Sequence, residues 1–301
     1  MDRPLVSIII PSYNQGRFIR KTLESVLAQD YRPIEVIVID GASADETVAV
    51  LHEYDGVPEV RWVSEPDSGV VEAVNKGFAR ARGEIAAIQS SDDFYLPGAV
   101  AAGVAALQAA PEAGFAFGDI MKVDAEGREL MRTALKPYSL EDMLALSIWI
   151  PQPSTFFRLT LAKELGGWRE EVPYAADTDL WYRMAFRAGA TKFNRLMAGL
   201  TMHDAQRDRH GDRIVRDYGL MLDQLAPLAT APPHLRRAAD AGRLRIANRY
   251  QPAPGYWSNL WRTWRVVLAC PRLASEIGIW ALIPGAFPLQ RLLSYTKRRW
   301  L

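Results

Sequence analysis

One cysteine, Cys270, among 301 residues excludes an intramolecular disulfide and any zinc site built on paired thiolates. It favours a reducing compartment, and a packed, unreactive thiol is its simplest reading. Long apolar runs are missing too. A bilayer-spanning helix needs about 20 apolar residues, whereas the nearest stretch, Ile277 to Leu289, is shorter and is interrupted by Pro284 and Pro288. Neither sign of charge is in excess: 36 Lys and Arg face 35 Asp and Glu, a formal net of +1, which excludes a broad cationic surface for nucleic acid. Met1-Asp2-Arg3-Pro4 lacks the basic start and cleavage site of a secretory signal, so a cytoplasmic setting is expected. Neither a dinucleotide-binding glycine fingerprint nor a P-loop follows the first apolar run, and there are no internal repeats.

What is present is an alternation of β-branched runs with segments of helical period, the pattern of a mainly parallel sheet covered by helices. Leu5–Ile10, Ile34–Ile39, Val60–Val63 and Ile85–Ile88 read as strands. Phe18, Ile19, Thr22, Leu23, Val26 and Leu27 recur at three-to-four spacing and predict a helix, and a second is predicted from Val70 to Ala81. Asp45 is placed to cap a helix through Val48 and Leu51, and Pro97 to open another. Phe115–Phe117, Met121–Val123 and Thr155–Arg158 are further strand candidates, Asp124–Gly127 a hairpin turn, and Leu161–Leu165 and Asp179–Ala188 helices ended by glycine. Pro232-Pro233 and the Gln251–Gly255 segment mark joints. The expected organisation is an α/β domain over 1–225 and a helical appendage over 226–301.

In such sheets ligands bind beyond the carboxyl ends of the strands. Those ends are polar and acidic here: Pro11-Ser12-Tyr13-Asn14, Asp40-Gly41, Ser64-Glu65-Pro66-Asp67 and Ser91-Asp92-Asp93. Converging carboxylates repel one another unless a cation or ligand donors lie between them. An Asp-Asp pair suits a hard divalent ion that shares its shell with diphosphate oxygens. Before a helix opened by Pro97 the same pair also fits a capping role.

Val6–Asn14, Glu35–Thr47, Ser64–Gly69, Ala73–Gly77, Gln89–Asp93 and Ala176–Trp181 follow one another in this order. Together, over roughly residues 4–210, these blocks resemble the family 2 glycosyltransferases of GT-A fold. The resemblance implies a GT-A type, Rossmann-like mixed and mainly parallel sheet that binds a nucleotide sugar. It places Pro11, Tyr13 and Asn14 in the nucleotide pocket, with Asp40 accepting from the base, Asp67 near base or ribose, and Lys76 holding the site. It assigns Asp93 and His203 to a divalent metal, Mn²⁺ or Mg²⁺, and Asp92 to the ribose or a metal-bound water. Asp177 becomes the base that deprotonates the acceptor hydroxyl, giving direct, inverting displacement. Two departures stand out: Glu72 replaces the Asp common in the family, and Ala176 replaces a Glu. Packing remains an alternative for Tyr13, a turn role for Asp40, a solvated helix position for Lys76, a structural role for His203 and helix capping for Asp177.

The expected activity is therefore transfer from a nucleotide-sugar donor, a UDP-sugar first, to a carbohydrate or lipid-linked acceptor in polysaccharide or glycolipid assembly. A nucleotide-sugar-binding scaffold without turnover and a sugar nucleotidyltransferase remain open, the second disfavoured because only Arg17 follows strand one closely. Residues 251–301 carry seven basic residues against Glu276 alone, leaving 1–250 with 29 basic against 34 acidic. Trp257, Trp261, Trp264, Trp280 and Trp300 lie in the same segment. Indole with Arg and Lys suits the headgroup level of a membrane, so the tail is expected to make peripheral contact with the inner face of the cell membrane, with packing on the core or on a partner subunit as the alternative.

Overall fold

The structure, a computed structural model, describes residues 3–203, 210–252 and 254–277. The chain opens with β1 (Val6–Ser12), α1 (Gly16–Leu27), β2 (Ile34–Asp40), α2 (Thr47–His52), β3 (Val60–Ser64), α3 (Val70–Arg80) and β4 (Ile85–Ile88). It continues through β5 (Phe94–Tyr95), α4 (Ala99–Ala109), β6 (Phe115–Asp124), β7 (Glu129–Thr133), α5 (Leu140–Leu144), β8 (Thr155–Arg158), α6 (Leu159–Glu164), α7 (Ala176–Ala188) and β9 (Ala190–Met202). Five helices follow: α8 (Gly211–Asp223), α9 (Ala226–Ala229), α10 (Pro233–Tyr250), α11 (Tyr256–Ala269) and α12 (Ala274–Ile277). Two compact units result, Met1–Pro137 with Ile150–Asp204, and Tyr138–Trp149 with Ala205–Leu301. The expected boundary near 225 falls after α8, which belongs with the later helices because it packs against α10.

The first unit is one mixed sheet in the order β3-β2-β1-β4-β8-β6-β9-β5, with β7 paired to β6. β3, β2, β1 and β4 run parallel, and β8 reverses direction against β4 and β6. Every residue of β1 and β2 is buried, as expected for central strands covered on both faces. Val6, Ile8, Ile10, Val36 and Val38 join Ile19, Leu23 and Val26 of α1 and Val100, Val104 and Leu107 of α4 in one core. On the other face α3 crosses β1 closely enough that a Cβ at Gly77 would lie 2.3 Å from Ile9 Cγ2. Glycine is needed there for backbone approach.

Phe115–Phe117 and Met121–Val123, read as two strands, form the single strand β6, whose pairing with β9 shifts register between Phe117 and Ile120. The two-residue β5 was not anticipated, and β7 completes the expected turn at Asp124–Gly127 as a hairpin. The helix expected from Asp179 begins earlier, at Ala176.

In the second unit α10 contacts α5, α8 and α11, burying the small residues Ala238, Ala239, Ala241 and Gly242. Arg272 bridges Glu141 (3.1 Å) and Asp142 (2.8 Å) of α5. Cys270 is a buried free thiol. No helix among the described residues is long and apolar enough to cross a membrane. Trp280, Arg291, Lys297, Arg298, Arg299 and Trp300 lie outside the described residues.

Candidate active site

The carboxyl ends of β1, β2 and β3 are in register, Ser12 opposite Asp40 and Asp40 opposite Ser64. Asp40 is fully buried, and its carboxylate accepts from the Ser43 N–H (2.9 Å), the Ser43 hydroxyl and the Ser64 hydroxyl (2.6 Å). A carboxylate has about four acceptor directions, so three donors leave one unused. The segment leaving β1 is pinned beside it. Asn14, at φ 52°, donates its N–H to Ser43 Oγ (2.7 Å) and accepts from the Ala44 N–H (2.9 Å). Pro11 is buried within β1, whereas Tyr13 is 63% exposed. The ring therefore stands outside the core.

Asp67 lies over Gly41, where a Cβ would come 2.9 Å from its Oδ2. Burial raises the Asp67 carboxyl above its ordinary range and the charges of Glu72 and Asp40 add to this, while the Gly69 N–H and Lys76 oppose it. Lys76 is held between Glu65 (3.0 Å) and Glu72 (2.9 Å) and reaches the Pro66 carbonyl (3.4 Å), tying the end of β3 to α3. Glu72 also accepts from the Ser68 N–H (2.8 Å) and hydroxyl (2.7 Å), reaching back over the helix start as in a capping box. These bonds, with Lys76, hold its carboxyl down at about 2.

Asp92 and Asp93 diverge. Asp93 is 2% exposed, and its Oδ1 accepts from the Thr201 N–H of β9 (2.9 Å). Burial pushes its carboxyl well above the ordinary range, the neighbouring Asp92 adds to the rise, and the Thr201 bond opposes it. Asp92 instead comes within 2.9 Å of His203 Nε2 through its Oδ2. Thus the expectation pairs Asp93 with His203, and the structure pairs Asp92 with it. The His203 ring stacks on Phe18 of α1, centroids 4.9 Å apart and planes at 25°. Thr22 and Ser25 of α1 and Gln29 just beyond it fix the acidic loop: Thr22 Oγ1 donates to the Asp93 carbonyl (2.6 Å), Ser25 Oγ accepts from the Tyr95 N–H (3.0 Å), and Gln29 donates to the Leu96 carbonyl (3.1 Å).

Asp177 stands in the first turn of α7, where its Oδ1 accepts from the Thr178 N–H (2.7 Å). The cap position itself belongs to Ala175, which makes no side-chain cap. Two residues on, Asp179 is fully buried and ion-paired to both Arg169 and Arg183. Arg183 donates further to the Leu165 and Gly167 carbonyls, and burial lowers its pKa. Asn75 of α3 closes this arrangement, donating to the Trp168 carbonyl (2.8 Å) and accepting the Trp168 N–H (2.9 Å). Gly167, at φ +67°, passes so close that a Cβ would meet Asn75 Oδ1 at 2.5 Å. The helix carrying Lys76 is thus bolted to the loop leading to Asp177.

Asn75, Arg169, Arg183 and Phe18 were not singled out from sequence. Asn75 lies inside a block read there only for Lys76, and Phe18 on a helix face read as core.

Residues 7–165 match the family model described as glycosyl transferase family 2. The chain belongs to that family. It is 36% identical over 184 residues to an uncharacterised glycosyltransferase of Mycobacterium tuberculosis, Rv1514c, covering 60% of this chain and 69% of that protein. It is 27% identical over 221 residues to a chondroitin synthase of Escherichia coli, covering 69% of this chain and 32% of that enzyme. Among solved structures, S. aureus TarS residues 1–349 in complex with UDP-GlcNAc aligns with a TM-score of 0.64 at 17% identity, over 98% of this chain and 87% of that one. The Pyrobaculum calidifontis mannosyltransferase PcManGT, in complex with GDP-Man and Mn²⁺, aligns at 0.62 and 20% identity, over 98% and 81%. The family 2 glycosyltransferase chain therefore has the GT-A type fold these proteins share.

Proposed function

We propose that this family 2 glycosyltransferase transfers a sugar from a nucleotide-sugar donor, a UDP-sugar first, to an acceptor hydroxyl with inversion. The observation that carries the reading is the division of labour along the strand ends. Asp40, with acceptor capacity to spare, and the exposed Tyr13 make a place for a base, while Asp92 and His203 form a carboxylate–imidazole pair. Asp40 accepts the imide N–H of a uracil-type base and Tyr13 lies on its face. Pro11 and Asn14 shape the wall, Asp67, held by the Gly69 N–H, accepts from base or ribose, and Lys76 holds the turn after β3 through Glu65 and the Pro66 carbonyl.

Among the described residues no group of three or more His, Cys, Asp or Glu is suited to a metal. The pair of Asp92 and His203 nonetheless fits a divalent ion whose other positions are filled by diphosphate oxygens and water. Asp93, turned into the sheet, supports the pair from behind. A bound Mn²⁺ or Mg²⁺ would supply Lewis-acid stabilisation of the departing nucleoside diphosphate. The PcManGT complex with GDP-Man and Mn²⁺ supports the metal role, and the TarS complex with UDP-GlcNAc supports the nucleotide-sugar site.

Asp177 acts as the general base, taking the proton of the acceptor hydroxyl as it attacks the anomeric carbon. Such assistance is typically worth about 10²–10⁴-fold. The Arg169–Asp179–Arg183 cluster and Asn75 hold the helix start that presents it. The acceptor is a carbohydrate or lipid-linked glycan in polysaccharide or glycolipid assembly at the inner face of the cell membrane; similarity to a chondroitin synthase supports the polysaccharide assignment.

The test is nucleoside diphosphate release by the purified chain from a panel of nucleotide sugars in Mn²⁺, Mg²⁺ or EDTA. Donor-selective, EDTA-sensitive release that disappears in Asp92→Ala is expected. Undiminished release in EDTA would overturn the metal role. Absence of both release and thermal stabilisation with every donor would overturn the transferase reading.

A further inference from the structure

α11 carries two apolar stripes, one buried and one exposed. Leu260, Val266 and Val267 are buried. Trp257, Trp261, Trp264 and Leu268, spaced as i, i+4, i+7 and i+11, form a second stripe that is 69%, 61%, 38% and 63% exposed. A contiguous exposed patch of large apolar side chains marks an interaction surface. Its surroundings select the partner. On α10, Arg243 pairs with Asp223 (2.8 Å) and Arg245 with Glu276 (3.4 Å), whereas α11 carries Arg262 and Arg265 and no acidic residue, with Arg265 beside Trp261 and Leu268. Trp261 and Leu268 also line an open hollow of about 400 Å³ together with Leu244, Arg243, Arg265 and Asp240.

We propose that this face is a peripheral membrane-contact surface for anionic phospholipid, with α11 lying along the headgroup layer. Indole side chains favour that depth, where the ring is covered and its N–H stays wet. Guanidinium groups beside them meet lipid phosphates, each basic group contributing through the negative surface potential. At 14 residues α11 is too short to span a bilayer, so it lies on one. This contact gives a physical basis to the membrane location proposed above, but it does not rest on the transfer chemistry.

The test uses the full-length chain and sedimentation with phosphatidylcholine vesicles containing about one third phosphatidylglycerol, against phosphatidylcholine alone. Binding to the anionic vesicles is expected, weakening as salt rises from about 0.1 to about 0.5 M and the screening length shrinks. The double variant Trp257→Ser/Trp261→Ser and the charge reversal Arg265→Glu should each weaken it by roughly tenfold or more. Trp261→Phe and Arg265→Lys should retain most of it, which separates a lost contact from a lost fold. The proposal is overturned if the chain stays in solution with anionic vesicles. It is equally overturned if the variants bind as well as the parent, which puts any binding elsewhere. A lipid-free dimer that the tryptophan variants dissociate would also overturn it, assigning the face to a second copy. Nucleoside diphosphate release from a soluble donor is indifferent to this face, so failure of either proposal leaves the other standing.

Discussion

Gly77→Ala tests the close approach of α3 to β1 through the sign of a stability change. In an ordinary exposed helix interior, replacing Gly by Ala stabilises by about 1 kcal/mol. Here the new methyl would lie 2.3 Å from Cγ2 of Ile9, which is fully buried in the central strand. Overpacking of this kind costs about 1–3 kcal/mol. The balance is a net loss of up to about 2 kcal/mol rather than a gain. Because α3 also carries Asn75 and Lys76, donor affinity should fall with it. Urea unfolding of Gly77→Ala, Ile9→Ala and the double variant reads the effect. Ile9→Ala alone should cost about 2–5 kcal/mol, and the double variant should lose about 1–2 kcal/mol less than the two singles combined. A Gly77→Ala protein more stable than the parent, or strict additivity with Ile9→Ala, would refute the reasoning.

Three further outcomes are expected. Asp179→Asn leaves the half-buried Arg183 facing Arg169 without a countercharge and should destabilise by about 3–5 kcal/mol in chemical denaturation; a loss under about 1 kcal/mol would show the cluster to be dispensable. Asp93, raised by burial, stabilises the fold while protonated and loses that contribution as pH climbs above its ordinary 3.8 towards its raised value. Asp93→Asn can keep the bond from the Thr201 N–H, so in EDTA its melting temperature should gain on the parent's as pH rises from acid to neutral, and a pH-independent difference would contradict the assignment. Tyr13→Ala should leave the melting temperature unchanged, since the ring is exposed, yet weaken UDP binding by about 1–3 kcal/mol, roughly 5–150-fold in calorimetry; unaltered affinity would remove Tyr13 from the pocket.

The parallel half of the sheet was legible because β1 and β2 are fully buried β-branched runs and the strand ends carry distinctive polar residues, Ser12, Asp40 and Ser64 among them. β5 was not, because two residues carry no period. β6 looked broken at Gly118, yet the chain continues through it with a shift in register against β9, a long-range pairing that local pattern cannot reveal. At the site, sequence placed the acidic pair correctly after β4 but could not say which carboxylate turns inward. That choice depends on the Thr201 N–H of β9 and on the stacking of Phe18 with His203, neither of which is local to Asp92. Asn75 was hidden for a similar reason: its partner, Trp168, lies 93 residues away.

Glycosyl transfer with Asp177 as base is tested by comparing the parent with Asp177→Asn. Nucleoside diphosphate release would be measured with a panel of carbohydrate and lipid-linked acceptors, and donor Kd by calorimetry. In Asp177→Asn, kcat should fall by about 10²–10⁴-fold while donor Kd stays within about twofold. Equal turnover by Asp177→Asn would contradict it.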